Sequence, residues 1–324
     1  MKKKLFLIIT LIALPNLIIG QKSSEELNQY KQFLPYVIKD IQENKTQKKS
    51  PHIESKIGKK FNKPWDVEKL DKETIKKTIN TLIDNHTLHV EQDYRKKWNL
   101  DFHSTLNLNS AIEETSNTDN LLSNIIVSIS NIELLDRNRI PVIETEERKV
   151  KINQDTELSF HSAGINIEFP LQKKYDTING TISLTLVEYQ KISYKEFREN
   201  DKNKSFNLGD FKGLKLLKIQ QDKAYVYLPK LDENIKISGT SKTGEEYIGG
   251  NFNINIPKSV YDYAIGDNIT EKLTKSLIDN LTIKDFKEEP QILIYKTSGI
   301  IENLFIYLKS SPKNLTSKTL NIKL

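Results

Sequence analysis

Cysteine is absent from this 324-residue chain, so no disulfide can brace the fold and no thiol can carry a lipid. The 12 glycines nowhere form Gly-x-Gly-x-x-Gly or a phosphate loop. A Gly-x-Ser-x-Gly nucleophile elbow and the His-Glu-x-x-His pair of zinc proteases are also missing. These absences disfavour nucleotide chemistry and the best-marked classes of hydrolase, and they leave stability to the hydrophobic core.

Arginine is scarce, since five arginines stand against 44 lysines. The formal charge of +6 falls to +3 without the lysines at positions 2–4. Residues 21–63 hold ten lysines against five acids, which leaves a net charge of −2 for residues 64–324. Nucleic-acid recognition favours the bidentate fork of arginine, so we expect no nucleic-acid partner. The heavy use of Lys, Asn and Ile suggests an AT-rich bacterial genome.

Only the N-terminus has a long apolar run. The lysines at positions 2–4 precede an apolar stretch at 5–19, and polar residues begin at Gln21. This is the layout of a secretory signal peptide, with cleavage expected after Gly20. The stretch is about 15 residues long and contains Pro15, whereas a membrane-spanning helix needs roughly 20 residues. We therefore predict an exported protein, periplasmic or secreted, that is not a lipoprotein and has no transmembrane segment after cleavage.

Helical periodicity follows the predicted signal peptide. Apolar residues recur at helical intervals over 23–41, and Pro35 is expected to kink this helix or split it in two. A second helix is predicted over about 71–85 from its apolar stripe. The lysine-rich segment 45–65 between the two lacks regular periodicity and is predicted to be a mobile connector. We expect a helical N-terminal region over residues 21–120.

From about Leu121 the pattern changes to short β-branched and aromatic runs separated by turns. Roughly a dozen such runs, joined by turns and not by helices, favour antiparallel sandwiches over a doubly wound parallel sheet. The predicted fold is mainly β, with an antiparallel β-sandwich body, either one enlarged or two packed sandwiches, and a short α-helical N-terminal region. We predict a signal peptide at 1–20, the helical region at 21–120, a β-sandwich domain at 121–256 and a C-terminal β-rich region with one helix at 257–324.

Three histidines are the candidate metal ligands. His86 and His89 lie close to Glu91 and Asp93, and His103 follows. On a helix the first two would share a face, whereas on a strand they would face opposite sides. The sequence after the predicted helix has an extended or irregular pattern, so structural histidines are the alternative, and no cofactor is predicted.

Two tyrosines are the candidate ligand-binding residues. Tyr225 and Tyr227 are two apart in a predicted strand and should share one sheet face. An exposed aromatic face stacks on sugars or on a partner protein, whereas half-buried tyrosines are also common in ordinary strands. Both readings remain open from the sequence.

One short motif resembles a catalytic signature. Lys242-Thr243-Gly244 matches one of the three motifs of serine β-lactamases, but the single Ser-x-x-Lys, at 310–313, lies downstream of it in the wrong order. We therefore predict a hairpin turn in which Gly244 supplies a positive φ.

The function predicted by elimination is that of an exported, non-catalytic binding or assembly protein with a protein or polysaccharide partner. Its alternatives are an exported hydrolase with an unrecognised site and a periplasmic inhibitor or immunity-type protein. Sugar binding predicts exposed aromatic side chains clustered on one sheet face or loop end. A hydrolase requires at least two convergent titratable side chains in one concave pocket.

Overall fold

The structure, a computed structural model, describes nine segments of the chain: 24–46, 57–66, 71–93, 96–105, 125–143, 156–157, 164–232, 234–248 and 251–324. The predicted signal peptide and part of the predicted connector lie outside these described residues. The helices are α1 (Ser24–Thr46), α2 (Lys72–Asp84), α3 (Lys258–Ala264), α4 (Glu271–Asn280) and α5 (Ile283–Lys287), with a 3₁₀ turn at Pro64–Asp66. None of the helices described has the length and apolar character needed to cross a membrane.

Strands make up most of the described fold. They are β1 (Ile57–Lys60), β2 (His86–Gln92), β3 (Trp98–Thr105), β4 (Ile125–Leu135), β5 (Thr156–Glu157), β6 (Gly164–Pro170), β7 (Asn179–Arg198), β8 (Lys202–Leu208), β9 (Phe211–Gln220), β10 (Lys223–Leu228), β11 (Ile235–Thr240), β12 (Glu245–Tyr247), β13 (Asn251–Pro257), β14 (Gln291–Thr297) and β15 (Asn303–Lys323). The pairings between these strands are antiparallel. The prediction of a mainly β, antiparallel fold with a short N-terminal helix is confirmed.

Two long strands, β7 with 20 residues and β15 with 21, form a ribbon that runs through the molecule. They pair from Asn303 opposite Arg198 to Lys323 opposite Asn179. Near one end β4 and β5 extend the sheet beyond β7, and near the other end β11 extends it beyond β15. The ribbon therefore supplies one sheet to each of two packed units.

The first unit packs the β4 end of the ribbon against the three-stranded sheet β2-β3-β6 and helix α2. Its core combines Leu82 of the helix with Phe102, Leu184 and Ile322 of the two sheets, all buried. Helix α2 begins where predicted, because the side chain of Asp71 accepts hydrogen bonds from the backbone N–H groups of the first turn.

The second unit is a sandwich. The β11 end of the ribbon packs face to face on the five-stranded sheet β13-β14-β10-β9-β8, with Leu216, Val226 and Ile306 in the core between them. Helices α1, α3, α4 and α5 cover the opposite face of that five-stranded sheet. The described layers of the second unit are therefore, in order, the helices, the five-stranded sheet, and the sheet formed by the ribbon and β11.

Helix α1 belongs to this helical layer. It buries Leu34, Ile38 and Ile41 in the same cluster as residues of α3 and α4. It runs through Pro35 without being split, contrary to one of the two predicted outcomes. Proline has no backbone N–H, so one carbonyl of the preceding turn loses its helical hydrogen bond. Pro35 is exposed, so this carbonyl lies on the solvent side of the helix while the apolar side chains of the other side stay packed.

The turns behave as the sequence predicts, whereas strand lengths do not. Gln221 has a positive φ of 54° in the β9–β10 hairpin, and Gly244 has a φ of 92° in the β11–β12 hairpin. Two predicted C-terminal strands are one strand, β15, because pairing with β7 continues through a bulge between Asn314 and Thr316. Helices α3 and α5 were not predicted, so residues 257–324 hold three helices and not the single one expected.

Candidate aromatic binding surface

Residues 57–66, which we name the strap, lie across the outer side of the second unit. Strand β1 pairs with β12, Ile57 being opposite Tyr247, and the backbone N–H of Phe61 donates to the carbonyl of Gly244 at 2.8 Å. The 3₁₀ turn that follows contacts β7. These described residues, predicted to belong to a mobile connector, are instead attached to the sandwich.

Aromatic side chains gather where the strap meets the ribbon. We name as the aromatic surface the rings of Phe61, Trp65, Tyr194, Phe305 and Tyr307. The ring of Trp65 lies parallel to that of Tyr194, with centroids 4.0 Å apart and planes 5° apart. Phe61 stacks on Phe305 at 5.0 Å, and Trp65 meets Tyr307 edge-on at 5.7 Å.

Strand alternation explains why the ribbon presents these rings outward. Leu304 and Ile306 of β15 point into the sandwich core, so Phe305 and Tyr307 point to the opposite side. Tyr307 is paired directly with Tyr194 of β7. The ribbon thus holds three rings on one face, and the strap adds the rest from above.

The surface is partly open to solvent. Phe305 is 4 % exposed beneath the strap, whereas Tyr194 is 46 % exposed and Trp65 is half-buried. The Nζ of Lys63 lies 5.5 Å from the centroid of the Phe305 ring, close enough for a cation–π contact. The arrangement offers apolar ring surface with a cationic group at its side.

The candidate metal ligands lie in the first unit, on two different faces. His86 lies at the start of β2 on the core side, where its ring stacks on Phe102 at 5.7 Å and its Nδ1 hydrogen-bonds the carbonyl of Ile83. His89 and His103 are exposed on the outer face of the sheet β2-β3-β6. Across the part of the chain that the structure describes, no three His, Cys, Asp or Glu side chains are grouped so that they could hold a metal ion.

That outer face also carries three carboxylates. Asp101 of β3 lies opposite Glu168 of β6 and, on its other side, opposite His89. Desolvation, a hydrogen bond with Glu91 and the negative charges of Glu91 and Glu168 raise the pKa of Asp101 to about 7. Asp101 therefore keeps its proton up to about pH 7, on the outer face of a sheet.

The candidate ligand-binding tyrosines share one face of β10, as predicted. Tyr225 is fully buried under the helical layer, with its ring 5.7 Å from that of Tyr261, and Tyr227 is half-buried in the same cluster. Burial raises the pKa of the Tyr225 hydroxyl. Helices cover the face that these residues occupy, whereas the aromatic surface lies on the other sheet of the sandwich.

Sequence reasoning missed the aromatic surface because its members come from three separate segments. The available signal was the spacing by two of Phe305 and Tyr307, together with Trp65, one of only two tryptophans. Placing Trp65 against Tyr194 requires the ribbon pairing and the strap, which no local pattern encodes.

No protein-family model, curated protein or solved structure matches this chain. The aromatic surface is the feature of the described residues with the clearest capacity to bind a partner, because it joins exposed ring area to a rigid pair of strands.

Proposed function

We propose that the protein is an exported, non-catalytic binding protein that holds a polysaccharide against its aromatic surface. The observation that carries this proposal is the parallel stack of Trp65 and Tyr194, in which Tyr194 remains 46 % exposed. A sugar ring has an apolar face of C–H groups and a polar rim of hydroxyls. Aromatic side chains that expose apolar ring area beside polar groups complement both parts.

Rigidity of the site supports binding. Tyr194 and Tyr307 face each other on the paired strands β7 and β15, so the backbone fixes their separation. Trp65 is held by the strap, which is hydrogen-bonded to the β11–β12 hairpin. A site whose side chains are already ordered loses little conformational entropy when a ligand binds.

Export supports the choice of partner. The apolar run at 5–19 behind three lysines has the layout of a signal peptide, and the absence of cysteine makes the fold independent of the redox state of its compartment. A periplasmic or secreted protein meets polysaccharides of the envelope and the surroundings.

Retention on polysaccharides tests the proposal. The purified protein is run by affinity electrophoresis through gels that contain individual envelope or plant polysaccharides, beside Tyr194→Ala, Tyr194→Phe and Tyr36→Ala. Tyr36 is the matched control, because it is 67 % exposed on α1 in the helical layer, on the opposite side of the sandwich. We expect at least one polysaccharide to retard the wild type, Tyr194→Phe and Tyr36→Ala, but not Tyr194→Ala.

A protein partner gives a different result. The inhibitor-type alternative requires a protein that cross-links to the aromatic surface while no polysaccharide retards the wild type. That outcome, or equal retardation of wild type and Tyr194→Ala, contradicts the polysaccharide proposal.

Fluorescence provides a second readout. Trp98→Phe leaves Trp65 as the sole tryptophan. Its emission should shift on titration with the retained polysaccharide, since the ligand displaces water from the ring. An unchanged spectrum at saturating ligand places binding elsewhere and contradicts the proposal.

A further inference from the structure

A cavity of about 150 Å³ opens in the second unit near the edge of strand β11. It is lined by Gly239, Glu246, Tyr247, Asn251, Tyr295 and Thr297. An apolar cavity of this volume admits a molecule the size of benzene. This one is polar and carries a carboxylate, so its occupant should carry complementary charge.

Backbone packing keeps the cavity in shape. The hydroxyl of Tyr295 accepts a hydrogen bond from the backbone N–H of Gly239 at 2.7 Å, which fixes the ring as a wall. A Cβ atom added at Gly239 would lie 2.9 Å from the ring carbon Cε1 of Tyr295 and 3.2 Å from the methyl carbon of Thr297. The absence of a side chain at Gly239 therefore allows the backbone of β11 to lie close against the ring of Tyr295.

Within the described residues, the carboxylate of Glu246 has a hydrogen-bond partner but no cationic one. Its Oε1 accepts from the hydroxyl of Ser238 at 2.9 Å. In the ranges the structure describes, no lysine or arginine forms a salt bridge with Glu246. A half-buried carboxylate in this position attracts a cation that can donate a hydrogen bond.

Charged groups of both signs lie near Tyr247, next to the cavity. Burial raises the pKa of the Tyr247 hydroxyl, and the negative charges of Glu302 and Glu245 raise it further. Lys60, paired with Glu245, offsets part of that negative charge, and neither Glu245 nor Glu302 lines the cavity. The hydroxyl of Tyr247 donates a hydrogen bond to the carbonyl of Ile300. Towards any other group its oxygen can therefore only accept a hydrogen bond. The Glu246 carboxylate and the acceptors that line the cavity favour a cation.

An organic cation fits these walls better than a metal ion. Tyr247 and Tyr295 contribute aromatic rings, which attract ammonium groups through the ring quadrupole. Among the described residues that line the cavity, Glu246 is the single carboxylate, whereas a protein metal site usually draws on several oxygen or nitrogen ligands. We propose that this cavity binds a small primary ammonium group, with Glu246 as its counter-ion. The proposal is independent of the aromatic surface and of polysaccharide binding.

Titration with n-propylammonium chloride tests the proposal. The tyrosine ring signals of the protein labelled with ¹³C-tyrosine are followed by NMR and assigned with Tyr247→Phe and Tyr295→Phe. Sodium chloride at equal ionic strength and propan-1-ol, the neutral analogue of equal length, are the reference titrants. A fragment of this size should bind with a dissociation constant in the millimolar range, about 1–20 mM, since few atoms contribute.

Two variants separate charge from shape. Glu246→Gln keeps an acceptor for Ser238 and removes the charge, so we expect binding about tenfold weaker or lost. Glu199→Gln is the control, because Glu199 is exposed in the turn between β7 and β8 and does not line the cavity. It should bind as the wild type does.

Four results overturn the proposal. They are no saturable change with n-propylammonium, equal binding of propan-1-ol, an unchanged dissociation constant in a folded Glu246→Gln variant, and equal weakening in Glu199→Gln. Tetramethylammonium, which has no N–H donor, should bind more weakly than n-propylammonium. The reverse order contradicts recognition through hydrogen bonds to Glu246.

Discussion

Trp65 and Tyr194 lie in parallel contact, ring to ring, although one belongs to the strap and the other to a strand of the ribbon. Each ring removes apolar area of the other from water. The contact therefore fastens the strap to the sandwich and builds the aromatic surface at the same time, so stability and binding are coupled through these two side chains.

Truncation of Trp65 should loosen the strap. We expect Trp65→Ala to lower the free energy of unfolding by about 1.5–3 kcal/mol, less than the cost at a fully buried site because Trp65 is only partly buried. Trp65→Phe, which retains an aromatic ring, should lose less than half of that. Urea unfolding measures the difference, and limited proteolysis should cut within 57–66 faster in Trp65→Ala. Unchanged midpoints and cleavage rates would contradict this role.

A buried lysine ties α1 to the second unit. The Nζ of Lys223, whose side chain is 5 % exposed, lies 2.6 and 2.7 Å from the two carboxylate oxygens of Asp40. Asp40→Asn should cost about 2–4 kcal/mol, because it leaves a buried charge unpaired, discounted for the 47 % exposure of Asp40. Chemical unfolding provides the measurement.

Two variants control for this pair. Lys258 and Asp262 form an exposed ion pair. We expect Asp262→Asn to lower the free energy of unfolding by less than about 0.5 kcal/mol. Adding Lys223→Met to Asp40→Asn should recover most of the loss, since the unpaired charge is gone. Equal costs for the buried and the exposed pair would show that burial of Lys223 is irrelevant.

The carboxylates of the first unit should make stability depend on pH. The pKa of Asp101 is raised to about 7, so the folded state holds a proton that the unfolded state releases near pH 4. The contribution of this group to the free energy of unfolding is fully present below about pH 4. It decreases as the pH rises to about 7 and is absent above that. Asp101→Asn should therefore stabilise the protein relative to wild type above pH 7, by about 1–2 kcal/mol once solvent screening is allowed for.

Denaturant unfolding from pH 4 to pH 8.5 measures this difference. Asp84→Asn, an exposed carboxylate at the end of α2, is the control and should parallel the wild type over the same range. Parallel curves for Asp101→Asn and wild type would contradict the raised pKa of Asp101.

One glycine allows β4 and β7 to approach. A Cβ atom at Gly180 would lie 1.7 Å from the backbone oxygen of Glu133, next to the bulge in β4. Because backbone has to move, Gly180→Ala should cost more than about 3 kcal/mol. Gly244→Ala is the comparison, since a φ of 92° would strain an alanine while none of the described residues lies within 4 Å of the added atom. We expect a cost of about 1–2 kcal/mol there. Equal thermal midpoints for the two variants would contradict the clash.

The export proposal predicts a new N-terminus. Mass spectrometry of the protein recovered from the periplasm or the medium should find Gln21 as its first residue, since Gly20 provides the small side chain before the cut. Substituting the lysines at 2–4 by Asn should reduce export. A protein that stays in the cytoplasm with residues 1–20 attached contradicts both export and a role in polysaccharide binding.

Much of the fold was predictable, because it depends on local rules. Alternation of apolar residues predicted most strands after position 121, the apolar stripe marked α2, and Gly244 marked a hairpin. The prediction of a helical region over 21–120 was wrong in part, because β1, β2 and β3 lie within it. The extent of β15 was not predictable, since its polar middle has no apolar alternation and is held by pairing with β7. The burial of Tyr225 was not predictable either, because the helices that cover its sheet face come from other parts of the chain.

The sequence by itself determined the β-rich class, the antiparallel pairing, the positions of most turns and the absence of cysteine chemistry, because each depends on residues close together in the chain or on composition. Only the tertiary structure decided that α1 covers the second unit, that the strap packs on the ribbon, and that Glu246 lines a cavity in which no described lysine or arginine pairs with it. Those relationships join residues far apart in the chain. Their energies come from burying apolar surface and from placing charges in a low dielectric, and both depend on what the folded chain brings together.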